Sequence, residues 1–210
     1  MALGTATDAY ELRFDAGRIC LDLLATTHPE EHLDSLDVLR AWIVGAGLVP
    51  PGTPLAHADA SWVVGFREVR GRIGQLVRWG SPRSSEVESG GGLNPAPWPS
   101  YDLALARVND VARAAPPAPR AVLGEDGTLV RELDHPPECA GLLGAVARDA
   151  LELLTDPLAR AALRECEGDN CPIVYLDTSR GRRRRWCSSE VCGNRERVAR
   201  HRRRAALTRA

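Results

Sequence analysis

The chain has 210 residues, 44% hydrophobic and 26% charged, with a formal net charge of −1, which is enough for one large domain or two small ones around a real core. No apolar run reaches the length of a membrane span and MALGTATDAYELRFD carries no secretory signal, so a cytoplasmic protein without a membrane partner is expected. The total of −1 hides an asymmetry: residues 1–163 carry 14 Arg against 22 Asp and Glu, a balance of −8, whereas residues 164–210 carry 13 Arg against 6, a balance of +7, and Lys is absent.

In chain order, Tyr10–Asp15 alternates and predicts a short strand. Ile19, Leu23 and Leu24 predict a first helix, and a second runs from near Asp34 to Gly45 or Gly47. Asp59 caps a third, in which Trp62, Phe66, Val69, Ile73, Leu76 and Val77 recur at steps of three and four. Gly80–Ser100, rich in Ser, Gly and Pro, reads as a surface insertion. Helix resumes after Ser100 and stops at Pro116 and Pro117. RAVLGEDGTLVREL predicts a hairpin, and another helix follows with Leu143, Val146, Ala150, Leu153 and Leu154 on one face. Asp156-Pro157 reads as the cap and first turn of a helix through DPLARAALREC. The expected fold is therefore mostly α with minor β: a multihelical N-terminal domain with a short β element over residues 1–163, then a small module over 164–210.

That module holds Cys166-x4-Cys171 and Cys187-x4-Cys192, with 15 residues between the pairs. Two short-spaced cysteine pairs at this separation are a zinc signature. Four thiolates around one Zn2+ close a tetrahedral site and stand in for a core that so short a segment cannot build. Three alternatives compete: disulfides, which need an oxidising compartment; a redox pair, which usually has two intervening residues; and an iron–sulfur cluster, whose cysteine runs are spaced differently. Cys20 and Cys139 read as small buried apolar side chains. Around the cluster, Pro172–Asp177 predicts a strand, TSRG a turn and RRRRW a second strand. Ser188 or Ser189 caps a helix from about Glu190 to Ala206, which puts Cys192 in its first turn. Knuckle, hairpin and ligand-bearing helix together describe a treble-clef-like zinc finger.

Arginine keeps its charge at any working pH and offers a planar fork to phosphates and guanine edges. Arg180, Arg182, Arg183, Arg184 and Arg185 crowd the turn, and Arg197, Arg200, Arg202, Arg203 and Arg204 follow on the helix. These ten are the candidate nucleic-acid contacts, set against the plainer reading of a solvated, internally ion-paired face. Asp177, Trp186, Asn194 and Arg195 read as structural: Asp177 pairing with Arg195, Asn194 bonding backbone near the knuckle, and Trp186 packing over the metal site. His201 reads as a surface residue, and Asp22, His28 and Glu31 as solvated helix-end groups.

Cys166, Cys171, LDTSR (Leu176–Arg180), the RRWC run ending at Cys187, and CGNR (Cys192–Arg195) with its basic helix resemble the CGNR zinc finger family. FDAGRICLDLLATT, DVLRAWIVGAGL and FREVR are similar to the ABATE domain that precedes this finger in bacterial proteins, although Ala25 stands where members often carry Asn. The resemblance implies a stress-linked transcription regulator. Three functions are thus set side by side. The first is a DNA-binding regulator whose N-terminal domain senses an unknown small ligand or forms a homodimer. The second is an interaction module docking RNA or protein. The third is an enzyme, for which the sequence offers no convincing nucleophile–base pair, phosphate loop or open metal site, so no catalytic residue is expected.

Overall fold

A computed structural model describes residues 12–78 and 98–207. The chain runs α1 (Ile19–Ala25), α2 (Leu36–Gly45), α3 (Ala60–Arg78), α4 (Trp98–Ala112), β1 (Pro119–Leu123), β2 (Leu129–Leu133), α5 (Cys139–Thr155), α6 (Pro157–Arg160), β3 (Leu163–Glu165), β4 (Val174–Leu176) and α7 (Cys192–Leu207). Helices α3, α4 and α5 pack on one another, α1 lies against α3 and α5, and α2 packs on α3. The fold is mostly α, with two small antiparallel two-stranded sheets.

The helices form where periodicity and capping agree. The Ser35 hydroxyl accepts from Val38 N at the start of α2, and Asp59 Oδ1 accepts from Ser61 N at 2.8 Å ahead of α3. All six apolar positions predicted on α3 are buried. The Phe66 ring meets Trp42 of α2 edge-on, 5.8 Å between centroids. Helix α5 buries Leu142, Val146, Ala147, Ala150 and Leu153, and its two small residues let the backbone leaving α4 cross it closely. A Cβ at Gly141 would lie 2.8 Å from Ala115 O, and one at Gly144 would collide with Ala114 O. The hairpin from Pro119 to Leu133 forms as predicted.

Four local expectations are corrected or fall outside the structure. Leu12–Asp15 form no strand, and Tyr10 and Glu11 lie outside the described residues. This segment is instead a strap, in which Ala16 O accepts from Leu176 N at 2.8 Å and Asp15 O accepts from Arg184 Nη2 at 3.1 Å. Asp156 does cap Pro157–Arg160 through Leu158 N, but the helix ends after one turn. The following Leu163–Glu165 pairs as β3 with β4, in the register Leu163 to Leu176 and Glu165 to Val174. The RRRRW segment is therefore not the partner of β4. Positive φ at Gly181 (91°) and Arg182 (50°) turns the chain away, and Arg184 N goes to the Asp177 carboxylate instead of to a ladder. The Gly80–Ser100 insertion lies outside the described residues up to Trp98, where α4 already begins.

The buried apolar core is continuous from the helices into the C-terminal module. Cys166, Cys171, Ile173, Val174, Tyr175, Cys187 and Cys192 belong to the same cluster as Leu21, Leu23 and Phe66. No described helix is long and apolar enough to cross a membrane.

Candidate metal centre and nucleic-acid interface

Two local devices bring the four cysteines together. After β3, a tight turn closed by Cys171 N donating to Gly168 O at 3.1 Å returns the chain to β4. After Trp186, Ser188 Oγ accepts from Glu190 N and Val191 N, both at 3.2 Å, and starts α7 on Cys192. All four side chains are buried, and their sulfurs lie within 4.8 Å of one another. Cys187 Sγ stands 3.7 Å from Cys171 Sγ and 3.6 Å from Cys192 Sγ. Zn–S bonds of about 2.3 Å set at tetrahedral angles give sulfur separations of about 3.8 Å, so the geometry fits one zinc ion and leaves no position for a catalytic water.

Four thiolates and one Zn2+ carry net −2, and the protein supplies donors against that charge. Cys187 N and Gly168 N point at Cys166 Sγ, at 3.3 and 3.4 Å. Arg13, from the strap, points Nη2 at Cys187 Sγ at 3.4 Å across 174 positions of sequence. Its role was invisible to sequence reasoning, since nothing near Arg13 hints at a metal.

The arginines divide into two groups. Arg184 is built into the finger: its Nε donates to Trp186 O at 2.8 Å, its Nη2 to Cys187 O and Asp15 O, and its guanidinium lies 4.6 Å from the Tyr175 ring centroid. Arg185 pairs with Glu167 at 2.6 Å and lies against the Trp186 ring. Arg197 donates to Gly193 O and Ser189 O, and Glu196 holds Arg203 at 2.8 Å with Arg200 near it at 3.9 Å. Arg180, Arg182 and Arg183 are different. They are exposed, and their guanidinium groups meet no protein acceptor among the described residues. Arg195, Arg202 and Arg204 are also exposed on α7, which packs extensively on no other described helix or strand.

The loop bearing the first three is fixed from beneath by Asp177, whose side chain is buried. Its Oδ1 accepts from Ser179 N and Oγ, at 2.9 and 2.6 Å, and its Oδ2 from Arg184 N at 3.1 Å. Those donors, Ser179 first, hold the carboxyl below the usual carboxylate range. Asp177 spends both oxygens on its own loop, so the expected pairing with Arg195 does not form. Asn194 is exposed on the first turn of α7, and its side chain bonds no described backbone group. The Trp186 ring lies by the first turn of α7: a Cβ on Gly193 would lie 3.7 Å from it. His201 is exposed.

The helix-end groups are not simply solvated. Glu31, itself exposed, is gripped by the buried Arg70, which also donates to Thr26 Oγ1 at 2.7 Å. Asp22 is buried, with Oδ1 accepting from Ala16 N at 2.9 Å. Burial raises its pKa to about 7, helped by the charges of Asp15 and Asp149 and opposed by the Ala16 bond and by Arg13. Folding therefore disfavours ionised Asp22. Its penalty is absent below about pH 4, grows as pH rises and is complete above about pH 7. Asp22→Asn removes that penalty, so its stability advantage over the parent should widen from near zero at pH 4 to roughly 2–4 kcal/mol at pH 8. Urea melts at several pH values check this, and an advantage independent of pH rejects it.

A family model described as "Putative stress-induced transcription regulator", ABATE, matches residues 17–157. A second, the CGNR zinc finger, matches residues 162–205. Neither description is that of an enzyme. No curated protein matches the chain. Matched finger and clustered cysteines agree on one structural zinc held by Cys166, Cys171, Cys187 and Cys192.

Proposed function

The chain belongs to the ABATE family and carries a CGNR zinc finger at residues 162–205, and from that premise we propose that it is a transcription regulator whose finger binds DNA through its arginines, while the helical part senses a ligand or dimerises. In this reading residues 1–163 form the regulatory part and residues 164–210 the nucleic-acid module. The observation that carries it is the Asp177–Arg184 loop. Ser179 O accepts from Arg182 N at 3.0 Å and Ser179 Oγ accepts from Arg183 N at 3.3 Å. The loop thus satisfies its own backbone, with Arg182 in a left-handed conformation. What it presents outward is three guanidinium groups with no acceptor among the described residues, and exposed Arg195 and Arg202 stand on α7 beyond them.

Such a surface suits phosphates, with each neutralised phosphate releasing counterions. Anisotropy of a labelled random duplex of about 30 base pairs tests it, between about 50 and about 200 mM salt, with zinc-loaded and chelated protein. Binding that needs zinc and loses about 40-fold or more over that range, as three or more phosphate contacts require, supports the reading. Absence of duplex binding at the lower salt overturns it and moves RNA, or a protein docked on exposed Val191 and Val198, to the front.

A further inference from the structure

An open cleft of about 450 Å³ lies at the root of the finger, lined by Phe14, Gly17, Arg18, Ile19, Asp22, Asp149 and Glu152. Its one cation is already committed. Arg18 Nε pairs with Asp149 Oδ1 at 2.8 Å, and its Nη2 reaches Glu152 Oε2 and Asp149 O, both at 3.0 Å. The second Asp149 oxygen accepts from Cys20 N at 2.9 Å. Asp22 is left over. It is only 7% exposed, it has no ion-pair partner among the described residues, and its Oδ2 accepts no hydrogen bond there. A carboxyl so deeply buried, with Arg13 acting on it only at a distance and no described ion-pair partner, is costly unless something supplies one.

The three carboxyl groups outnumber the single guanidinium, so the cleft favours a cation. A metal ion is a poor match: among the described residues the only grouping close enough to hold one is the cysteine cluster. The walls suit an organic cation better. The Phe14 ring, 39% exposed, is fixed over Gly45, where even a Cβ would collide with it, and Ile19 adds an apolar flank. The volume falls within the range of small-molecule pockets, and an aromatic face attracts an ammonium group.

We propose that this cleft binds a small molecule carrying an ammonium group and an apolar body, with the ammonium on Asp22 Oδ2 and the body against Phe14 and Ile19. The proposal rests on the regulator reading above and gives its ligand a chemical class. The route to the finger is short. Asp22 holds Ala16 N, Ala16 O receives Leu176 N of β4, and Gly17 packs against Leu176, where a Cβ would lie 3.2 Å away. A ligand that draws on the Asp22 carboxyl thus acts on the residue that carries the docking strand of the finger.

Calorimetry on the zinc-loaded full chain tests this with benzylamine as probe and benzyl alcohol as its uncharged control, near pH 8, where Asp22 is ionised. Benzylamine should bind saturably at millimolar levels or better and the alcohol about 10-fold more weakly or less. The amine should also lose about 10-fold or more on Asp22→Asn, and weaken toward about pH 5 as Asp22 takes up a proton. Equal affinities for amine and alcohol, an unaltered Asp22→Asn, or no saturable heat up to about 10 mM each overturn the proposal. Should Asp22→Asn fail to fold, Phe14→Ala carries the test, since loss of the ring must weaken the amine. Calorimetry reads the cleft without DNA. Failure here beside intact salt-dependent DNA binding removes only the ligand class, and the reverse removes only the regulator reading.

Discussion

Chelating the zinc, or replacing Cys187 by Ser, unfolds the finger while the helical bundle stays folded. The finger's own apolar content is small: Ile173, Val174 and Tyr175 beside the four cysteines. Strands β3 and β4 are three residues each, far below what holds together unaided in water. Structural zinc supplies roughly 10 kcal/mol or more in fingers of this size, which exceeds anything the remaining contacts can replace. Cys187 is the most sensitive position, because it is fully buried and binds the metal while its N–H supports Cys166 and its sulfur meets Arg13. The bundle persists because α3, α4 and α5 bury their own core, Phe66, Ile73, Ala104, Val108, Val146 and Leu153 among them. The expected readout is a two-step melt. Chelation makes four further thiols reactive and removes the circular-dichroism signal of α7, and the remaining helical signal melts later. A single transition unchanged by chelator, with α7 intact, contradicts this.

How far the sequence carries depends on the range of the interaction. The cysteine ligands were legible because metal chemistry demands residue types at a spacing that one tight turn can close. The inward face of α3 was legible because helical periodicity is a local property. What failed was long-range. Leu163–Glu165 reads as the end of a helix until β4 offers its backbone a partner, and pairing then overrides propensity. The strap at Leu12–Asp15 alternates like a strand but joins no ladder; only Ala16, just past it, meets the edge of β4, through Leu176 N. Asp22 looks like an exposed helix-end acid, and only the fold shows it buried with Ala16 N on one oxygen. The close crossing of Ala114 and Ala115 over Gly141 and Gly144 of α5 is likewise a long-range contact that helical periodicity does not carry. The arginine run is the sharpest case: Arg183 and Arg184 are identical neighbours in sequence, yet one faces solvent and the other is bonded into the finger.

That division yields a prediction with opposite signatures for adjacent residues. Replacing Arg180, Arg182 and Arg183 together by Ala removes three guanidinium groups that have no protein acceptor among the described residues, so the folded state loses nothing it uses. Easing the left-handed strain at Arg182 helps little, since Ala is no better suited than Arg to φ of 50°. Melting and zinc content should stay near the parent's. DNA affinity should fall by about 10-fold or more, and the slope of log affinity against log salt should shrink by about 2.7, at about 0.9 for each phosphate no longer neutralised. Arg184→Ala should do the reverse. It strips donors from Trp186 O, Cys187 O and Asp15 O and uncovers the Tyr175 ring, at a cost of about 2–3 kcal/mol, with weaker zinc retention. Because Asp15 belongs to the strap, this change also loosens the seam between finger and helices. On the proposed DNA-binding reading, whatever binding remains in the folded fraction of Arg184→Ala keeps its salt slope, since that guanidinium is spent on protein carbonyls. If instead Arg184→Ala flattens the slope and the triple replacement leaves it steep, the DNA face lies elsewhere on the finger.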